Sequence, residues 1–218
     1  MILGVSRDWK SSPPVDMQAH EISLRRLGYQ RICGIDEAGR GPLAGPVVAA
    51  AVILPFPCPV AGIRDSKQLS ATQRETLDEA IRQTAIATGI GIVDHETIDK
   101  INILKATLQA MQHAIQNLAD PPDFLLIDAV ALPEMIIPQQ ALIHGDRLSI
   151  SIAAASILAK VTRDRLMCAY HRTWPHYRFD MHKGYGTRVH LDALLKYGPS
   201  PMHRKTFRGV KGVVPKGP

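Results

Sequence analysis

The chain has 218 residues, of which 45% are hydrophobic and 21% are charged, and its formal net charge is +6. These ordinary globular values exclude a fibrous or low-complexity chain, and the length suits one substantial hydrophobic core. The longest apolar run, 47–54, is too short for a membrane span, and charged residues interrupt the N-terminal segment. We therefore expect a soluble, cytoplasmic protein without a secretory signal.

Basic residues are concentrated near the C-terminus. Residues 160–218 hold 13 of the 26 Lys and Arg residues but only three of the 20 Asp and Glu residues. This division suits a polyanionic substrate bound by a basic C-terminal surface. A surface charged for solubility explains the same numbers equally well.

We predict one domain without covalent cross-links. No internal repeat divides the sequence, so residues 18–210 form the domain, preceded by a flexible arm over residues 1–17 and followed by a tail over residues 211–218. The three cysteines are widely spaced and support neither a disulfide framework nor a zinc site. We expect buried free thiols at Cys33, Cys58 and Cys168.

The first elements along the chain are a short helix over residues 17–27 and two strands. The strands cover residues 31–36 and 47–54, and the glycine- and proline-rich segment 39–46 forms the turn between them. Because a turn joins them directly, we expect an antiparallel pair at the centre of the sheet.

The middle of the chain alternates helix and strand. Residues 70–73 carry the Ser-x-x-Gln capping-box pattern, which starts a helix, and residues 85–93 read as a strand. Asp94 then caps one regular helix, whose apolar positions recur every three or four residues from Ile98 to Leu118.

The remaining elements are two short buried strands and two helices. The strands cover residues 124–127 and 140–143, Ser149 opens a helix rich in small residues, and Thr187 caps a last helix that Gly198 closes. The order of elements predicts an α/β fold with a central mixed β-sheet flanked by helices, plus a helical basic C-terminal region.

Four acidic residues follow strand-like runs. Asp36 and Glu37 precede a Gly-Arg-Gly turn, and Asp128 and Asp146 each come after a later strand. Strand ends converge at one edge of an α/β sheet, and clustered carboxylates need counter-charge, which two divalent ions would supply. The alternatives are a solvated Asp-Glu pair in a turn, a strand-end cap at Asp128 and an Asx-turn at Asp146.

Several motifs carry a family resemblance. They are IDEAGRGPLAGPVVAAAVIL at 35–54, DSK at 65–67, LLIDA at 125–129, GD at 145–146, SIAAASILAKVTRD at 151–164 and KGYGT at 183–187. Together, over roughly residues 18–208, they resemble ribonuclease HII, the type 2 ribonuclease H of bacteria. The resemblance implies a ribonuclease H-like fold and an endonuclease that cuts the RNA strand of RNA/DNA hybrids and single ribonucleotides embedded in duplex DNA.

The resemblance also implies the site residues. The metal-binding catalytic set falls on Asp36, Glu37, Asp128 and Asp146, with two Mg²⁺ or Mn²⁺ ions as cofactors. The turn that reads the ribose 2′-OH falls on Gly39, Arg40 and Gly41, and the junction-sensing tyrosine falls on Tyr185. Lys67 and Lys183 suit phosphate contacts. We expect a monomer whose partner is nucleic acid, and no C-terminal motif indicates a sliding-clamp partner.

Two other functions are weaker. A nucleotide-binding enzyme would use the glycines at 39–45, but a strand follows them, and their spacing matches no phosphate-binding loop. A non-catalytic nucleic-acid-binding protein would use the basic C-terminal region, but it leaves the four acids unexplained. Stabilisation by Mg²⁺ or Mn²⁺ separates these possibilities, because a simple binder should be indifferent to the metal.

Overall fold

The computed structural model describes residues 16–214, in which a five-stranded sheet lies between helices. In chain order the elements are α1 (Ala19–Arg26), β1 (Ile32–Ala38), β2 (Val47–Ile53), a 3₁₀ turn (Ser66–Gln68), α2 (Ala71–Thr84), β3 (Ala87–Val93), α3 (His95–Ile101), α4 (Ile103–Gln116), β4 (Phe124–Asp128), β5 (Gln139–Leu142), a 3₁₀ turn (Gly145–Arg147), α5 (Ile150–Thr173), a 3₁₀ turn (Pro175–Tyr177), α6 (Phe179–His182) and α7 (Arg188–Tyr197).

The strand order is β3-β2-β1-β4-β5, with β1 in the middle. Strands β1 and β2 pair antiparallel, as do β2 and β3, whereas β4 runs parallel to both β1 and β5. The predicted mixed sheet and its central antiparallel pair are therefore confirmed. The parallel pairing of β1 and β4 brings the C-terminal ends of two strands together at one edge.

Each face of the sheet is covered by helices. Alternate side chains of β1, β2 and β4 pack against α3 and α4 on one face, while the opposite face packs against α2 and α5. Every residue of β2 is buried, as expected for a strand covered on both sides. Helix α5 approaches so closely that a Cβ atom at Gly34 would overlap the main chain of Ser151.

The single regular helix expected after Asp94 is wrong, because the chain breaks at Asn102. This residue has φ of 70°, a left-handed conformation that asparagine tolerates better than most residues, and it ends α3. Its side chain accepts a hydrogen bond from the Lys105 N–H (3.1 Å) and so starts α4. Leu104, predicted on the inner face, is exposed as a result.

Two further expectations differ from the structure. Strand β5 is not buried, because it lies at the sheet edge and pairs only with β4 on its inner side. Among the cysteines only Cys33 is buried, whereas Cys58 and Cys168 are half-buried; all three are free. The capping box of Ser70 and Gln73 is present as predicted.

Helices α6 and α7 and the chain that follows them form a separate apolar cluster beside the sheet edge. Its buried members include Tyr177, Phe179, Leu194 and Val210, together with Leu43 from the turn after β1. This cluster joins the predicted helical C-terminal region to the C-terminal end of β1.

The basic C-terminal surface is smaller than the composition indicates. Arg163 and Arg204 are fully buried, and other basic side chains form ion pairs with acids: Lys160 with Asp164, Arg165 with Glu75 and Asp78, and Arg188 with Asp192. Residues 1–15 of the predicted arm and residues 215–218 of the predicted tail lie outside the described residues, and both segments stay predictions. Within residues 16–214 no helix has the length and apolar run that a membrane crossing requires.

Candidate active site

A cleft of about 250 Å³ opens at the edge where β1 and β4 end. It is lined by eight of the ten predicted site residues: Asp36, Glu37, Gly39, Arg40, Gly41, Lys67, Asp128 and Tyr185. These residues come from four segments between positions 36 and 185, so the fold itself assembles this group.

The register of the sheet places Asp36 beside Asp128. In the parallel pairing of β1 with β4, Ile35 lies opposite Ile127, so the next residues, Asp36 and Asp128, are neighbours on the same face of the sheet. Asp36 is only 4% exposed, and its Oδ1 accepts a hydrogen bond from the Glu37 N–H (2.7 Å). Glu37 reaches the same cleft because it stands near the end of β1.

The electrostatics of these acids favour a bound cation. Burial raises the pKa of Asp36 well above its ordinary value, and the charges of Glu37 and Asp128 raise it further. Burial likewise raises the pKa of Glu37, although the nearby charge of Arg40 lowers it in part. Burial also raises the pKa of Asp128, although a hydrogen bond from the Gly145 N–H acts in the opposite direction. Glu37 and Asp128 therefore disfavour ionisation of Asp36, Asp128 disfavours that of Glu37, and Asp146 disfavours that of Asp128. A divalent cation among these carboxylates would remove that conflict.

The fourth acid is held by an ion pair. Asp146 lies buried in the 3₁₀ turn after β5, and its Oδ2 is 3.1 Å from Nζ of Lys67. Asp65 connects this turn to the 3₁₀ turn that contains Lys67, because it accepts hydrogen bonds from the Lys67 N–H (2.9 Å) and from Nε of Arg147 (3.2 Å). Asp146 thus reaches the cleft through Lys67 and does not line it directly.

Strained backbone flanks two of the acids. Ala129, directly after Asp128, has φ of 59°, and His144, two residues before Asp146, has φ of 58°. A hydrogen bond of 2.7 Å from the Gly145 N–H to Oδ1 of Asp128 joins the 3₁₀ turn after β5 to the end of β4. Such conformations are costly for residues other than glycine and tend to occur at functional sites.

Two buried arginines hold the glycine-rich turn in place. Arg204 donates to the carbonyls of Gly39 (2.6 Å), Arg40 (2.9 Å) and Gly45 (2.9 Å). Arg163 donates to the carbonyls of Ala44, Pro46 and Lys183 at 2.9–3.0 Å. Gly39 has φ of 101°, and a Cβ atom there would overlap the Arg163 side chain, so glycine is required twice over.

Tyr185 faces the turn across the cleft. It lies in the loop between α6 and α7 and is 47% exposed. A Cβ atom at position 41 would lie 3.6 Å from Cε1 of its ring, so the missing side chain of Gly41 leaves a space between the turn and the aromatic face. Both Gly41 and Tyr185 line the cleft.

The structure does not bring Lys183 to this cleft. Its Nζ lies 3.4 Å from Sγ of Cys168 and contacts the Asp180 carbonyl, in a neighbouring groove. Only its main chain takes part in the site, because its carbonyl accepts from Arg163.

Five polar residues that line the cleft were not predicted individually as site residues, namely Ser66, Arg74, Ser156, Lys160 and Arg163. Lys160 and Arg163 were included only as part of the basic C-terminal region. A signal for three of them was present in the α5 sequence. Polar residues at 156, 160 and 163 recur with a spacing of four and three among small apolar residues, which places them on one face of a helix.

The described residues 16–214 contain no group of three or more His, Cys, Asp or Glu side chains already arranged to hold a metal ion. A preformed cage is not required for Mg²⁺, which usually takes one or two carboxylates and completes its shell with water and substrate phosphate oxygens. The all-oxygen donor set and the raised pKa values fit such an ion.

Comparisons with known proteins agree with this geometry. A family model described as Ribonuclease HII matches residues 33–210. The chain belongs to the ribonuclease HII family. Ribonuclease HII of Geobacter sulfurreducens is 57% identical over 191 residues, which are 88% of each chain. Ribonuclease HII of Bacillus subtilis (strain 168) is 53% identical over 197 residues, which are 90% of this chain and 77% of that one.

A solved structure has the same fold. The ribonuclease H2 from Pyrococcus horikoshii OT3 is 25% identical, with a TM-score of 0.71 over 84% of this chain and 97% of that chain. The predicted ribonuclease H-like fold is therefore confirmed. Ribonuclease HII enzymes are metal-dependent endonucleases that cleave the RNA of RNA/DNA hybrids, and this chain is an enzyme of that class.

Proposed function

We propose that this enzyme also incises duplex DNA at single embedded ribonucleotides, in the cleft between Asp36, Asp128 and Tyr185. Cleavage would fall on the 5′ side of the ribonucleotide and leave 3′-hydroxyl and 5′-phosphate ends. The observation that carries the proposal is that three strand-end acids, the glycine-rich turn and an exposed aromatic ring line one cleft. The three features suit a phosphodiester, a ribose and the sugar that follows it.

The four acids Asp36, Glu37, Asp128 and Asp146 would hold two divalent ions, either Mg²⁺ or Mn²⁺. Bound there, such ions would supply positive charge that stabilises the phosphodiester as it is hydrolysed. Lys67 has a side chain that is 75% exposed, so it is free to exchange Asp146 for a substrate phosphate. That exchange would release Asp146 for its ligand role.

The turn at Gly39–Gly41 would recognise the ribose 2′-OH through its main chain. Gly41 lines the cleft and carries no side chain, so a sugar can approach the backbone closely. The 2′-OH both donates and accepts hydrogen bonds, and it is the group that separates RNA from DNA. The carbonyls of Gly39 and Arg40 already accept from Arg204, which fixes the orientation of the turn.

Tyr185 would stack on the deoxyribose that follows the ribonucleotide. A 2′-OH on that sugar would interfere with close stacking, so the ring would favour an RNA-to-DNA junction. Its partial exposure and its position opposite Gly41 support this role, because a ring used only for packing is generally buried.

The test uses two variants and two substrates. Asp36→Asn keeps the size of the side chain and should abolish cleavage of both a single-ribonucleotide DNA duplex and a continuous RNA/DNA hybrid with either metal. Tyr185→Ala should reduce cleavage of the single-ribonucleotide duplex about ten- to a hundredfold, the equivalent of one stacking contact of ~1–3 kcal/mol. The continuous hybrid should be affected much less.

Tyr197→Ala provides the matched control. Tyr197 is 46% exposed, almost the same as Tyr185, but it lies on α7 and does not line the cleft. Its removal should leave the ratio of the two activities unchanged. Near-full activity of Asp36→Asn would disprove the metal site. An unchanged ratio of the two activities in Tyr185→Ala would disprove the junction role of Tyr185, but it would not contradict the assignment of hybrid cleavage.

A further inference from the structure

A chain of hydrogen bonds runs through the C-terminal cluster and ends on the main chain of Tyr185. It passes from the Ser200 N–H to Nδ1 of His203 (2.9 Å), from Nε2 of His203 to Nε2 of His190 (2.8 Å) and from Nδ1 of His190 to the Tyr185 carbonyl (2.9 Å). Both histidines are 0% exposed. No step of the reaction described above uses either ring.

The end groups fix the direction of every bond in this chain. The Ser200 N–H can only donate, so Nδ1 of His203 accepts and its hydrogen lies on Nε2. The Tyr185 carbonyl can only accept, so Nδ1 of His190 carries the hydrogen and Nε2 is left as an acceptor. The two rings therefore match as neutral tautomers, with His203 donating to His190.

Burial keeps the pair neutral. It lowers the pKa of His190 to about 4 and that of His203 to about 3, and each ring's charge would also oppose its neighbours. Protonation of His190 would place a hydrogen on both facing Nε2 atoms and break the contact. The chain is consequently intact throughout the neutral range.

The same segment also holds the turn on the other side of the cleft. Arg204, the residue after His203, donates to the carbonyls of Gly39 and Arg40. Its N–H donates to the Leu43 carbonyl (2.9 Å), and His203 forms a β-bridge with Ala44. Adjacent residues of one segment thus bind the loop of Tyr185, through His190, and the glycine-rich turn. This link acts beside two others, from Arg163 to the Lys183 carbonyl and from the Leu43 N–H to the Gly184 carbonyl (2.8 Å).

We propose that His190 and His203 are positioning residues for Tyr185, and that their hydrogen-bonded chain holds its carbonyl, and with it the loop that carries the ring, in place opposite the Gly39–Gly41 turn. The inference rests on the junction role proposed above for Tyr185. A ribonucleotide and the following deoxyribose must fit the turn and the ring at the same time, so a loop free to drift would lose the junction before it lost hybrid cleavage.

Two substitutions at one position separate the two contacts of the His190 ring. His190→Asn places an amide nitrogen near the Nδ1 position and keeps a donor for the Tyr185 carbonyl. His190→Gln places its amide near the Nε2 position and keeps the contact with His203 while losing Tyr185. The measured quantity is kcat/KM on a single-ribonucleotide DNA duplex divided by kcat/KM on a continuous RNA/DNA hybrid.

His190→Gln should lower this ratio about three- to tenfold, which corresponds to one buried hydrogen bond. His190→Asn keeps the donor for the Tyr185 carbonyl but loses the contact with His203, so it should lower the ratio by a smaller factor. Combined with Tyr185→Ala, His190→Gln should lower the ratio no further, because the group it positions is already absent. If His190→Gln fails to fold, His203→Asn takes its place, since it keeps the acceptor for Ser200 and loses the donor to His190.

Tyr177→Phe controls for general loosening of the cluster. It removes another buried hydrogen bond of the cluster, to the Gly198 carbonyl (2.7 Å), and should lower the melting temperature without changing the ratio. If the histidine variants lower both activities equally, or add to Tyr185→Ala, the inference is overturned while the junction role stands. If Tyr185→Ala itself leaves the ratio unchanged, the junction role fails and the inference fails with it.

Discussion

Asp36→Asn should make the metal-free enzyme more stable while removing its response to metal. Asp36 is buried among like charges, and its pKa is raised by burial and by Glu37 and Asp128, so the folded state disfavours its ionised form at neutral pH. Asparagine keeps the size of the side chain and the oxygen that accepts the Glu37 N–H. The substitution therefore removes the unfavourable charge without creating a cavity.

The expected gain is about 1–2 kcal/mol, typical of relieving an unfavourable functional site, or roughly 2–8 °C in melting temperature for a chain of this size. Its sign depends on pH. Because the folded-state pKa of Asp36 is raised, its stabilising contribution is present at low pH and is lost as the pH rises through that value. The advantage of Asp36→Asn should consequently widen as the pH rises from 5 to 8.

The assay is thermal unfolding in EDTA and then in Mg²⁺ or Mn²⁺. At a hundredfold excess over its Kd, a metal should stabilise the parent by about 2.7 kcal/mol and should stabilise the variant far less, so the order of the two proteins reverses. Asp78→Asn is the matched control: Asp78 is equally buried but lies 3.0 Å from Nε of Arg82 and 3.0 Å from Nη1 of Arg165. It should lose about 1–3 kcal/mol and keep the metal response.

A metal-free Asp36→Asn protein that is less stable than the parent at pH 8 would refute the argument from clustered charge. An undiminished metal response in that variant would refute the assignment of Asp36 as a ligand. The stability in EDTA tests the electrostatic argument, and the stabilisation by added metal tests the assignment of Asp36 as a ligand.

Three other predictions use different properties of the structure. Gly34→Ala should destabilise the fold by several kcal/mol or prevent folding, measured by urea unfolding, because its Cβ atom would overlap the Ser151 main chain. Gly41→Ala should have a free energy of unfolding within ~0.5 kcal/mol of the parent, because its Cβ atom would meet Tyr185 at an ordinary 3.6 Å. Cleavage should nevertheless fall at least tenfold if the turn needs a bare backbone, and full activity would contradict that role. Binding of the Asp36→Asn protein to hybrid duplex should weaken with salt, with a log–log slope of ~0.9 per phosphate contact, and a flat response would exclude phosphate neutralisation.

Much of the local structure follows from the sequence. The apolar run of β2 is buried throughout, the capping box at Ser70 starts α2, and the adjacent acids Asp36 and Glu37 stand at the end of a strand before a glycine turn. These features depend on residues a few positions apart, where periodicity, capping and turn chemistry act directly. The same locality explains the error at Asn102, because the apolar period continues across a residue whose backbone conformation breaks the helix.

The assembly of the site was decided by tertiary structure. The pairing of β1 with β4, which sets Asp36 beside Asp128, and the ion pair between Lys67 and Asp146 join positions far apart in the chain. Composition counts Arg204 as surface charge, yet the fold buries it against main-chain carbonyls. Such contacts depend on which segments the packed core brings together, and that requires the free energy of the whole fold rather than the preferences of any one segment.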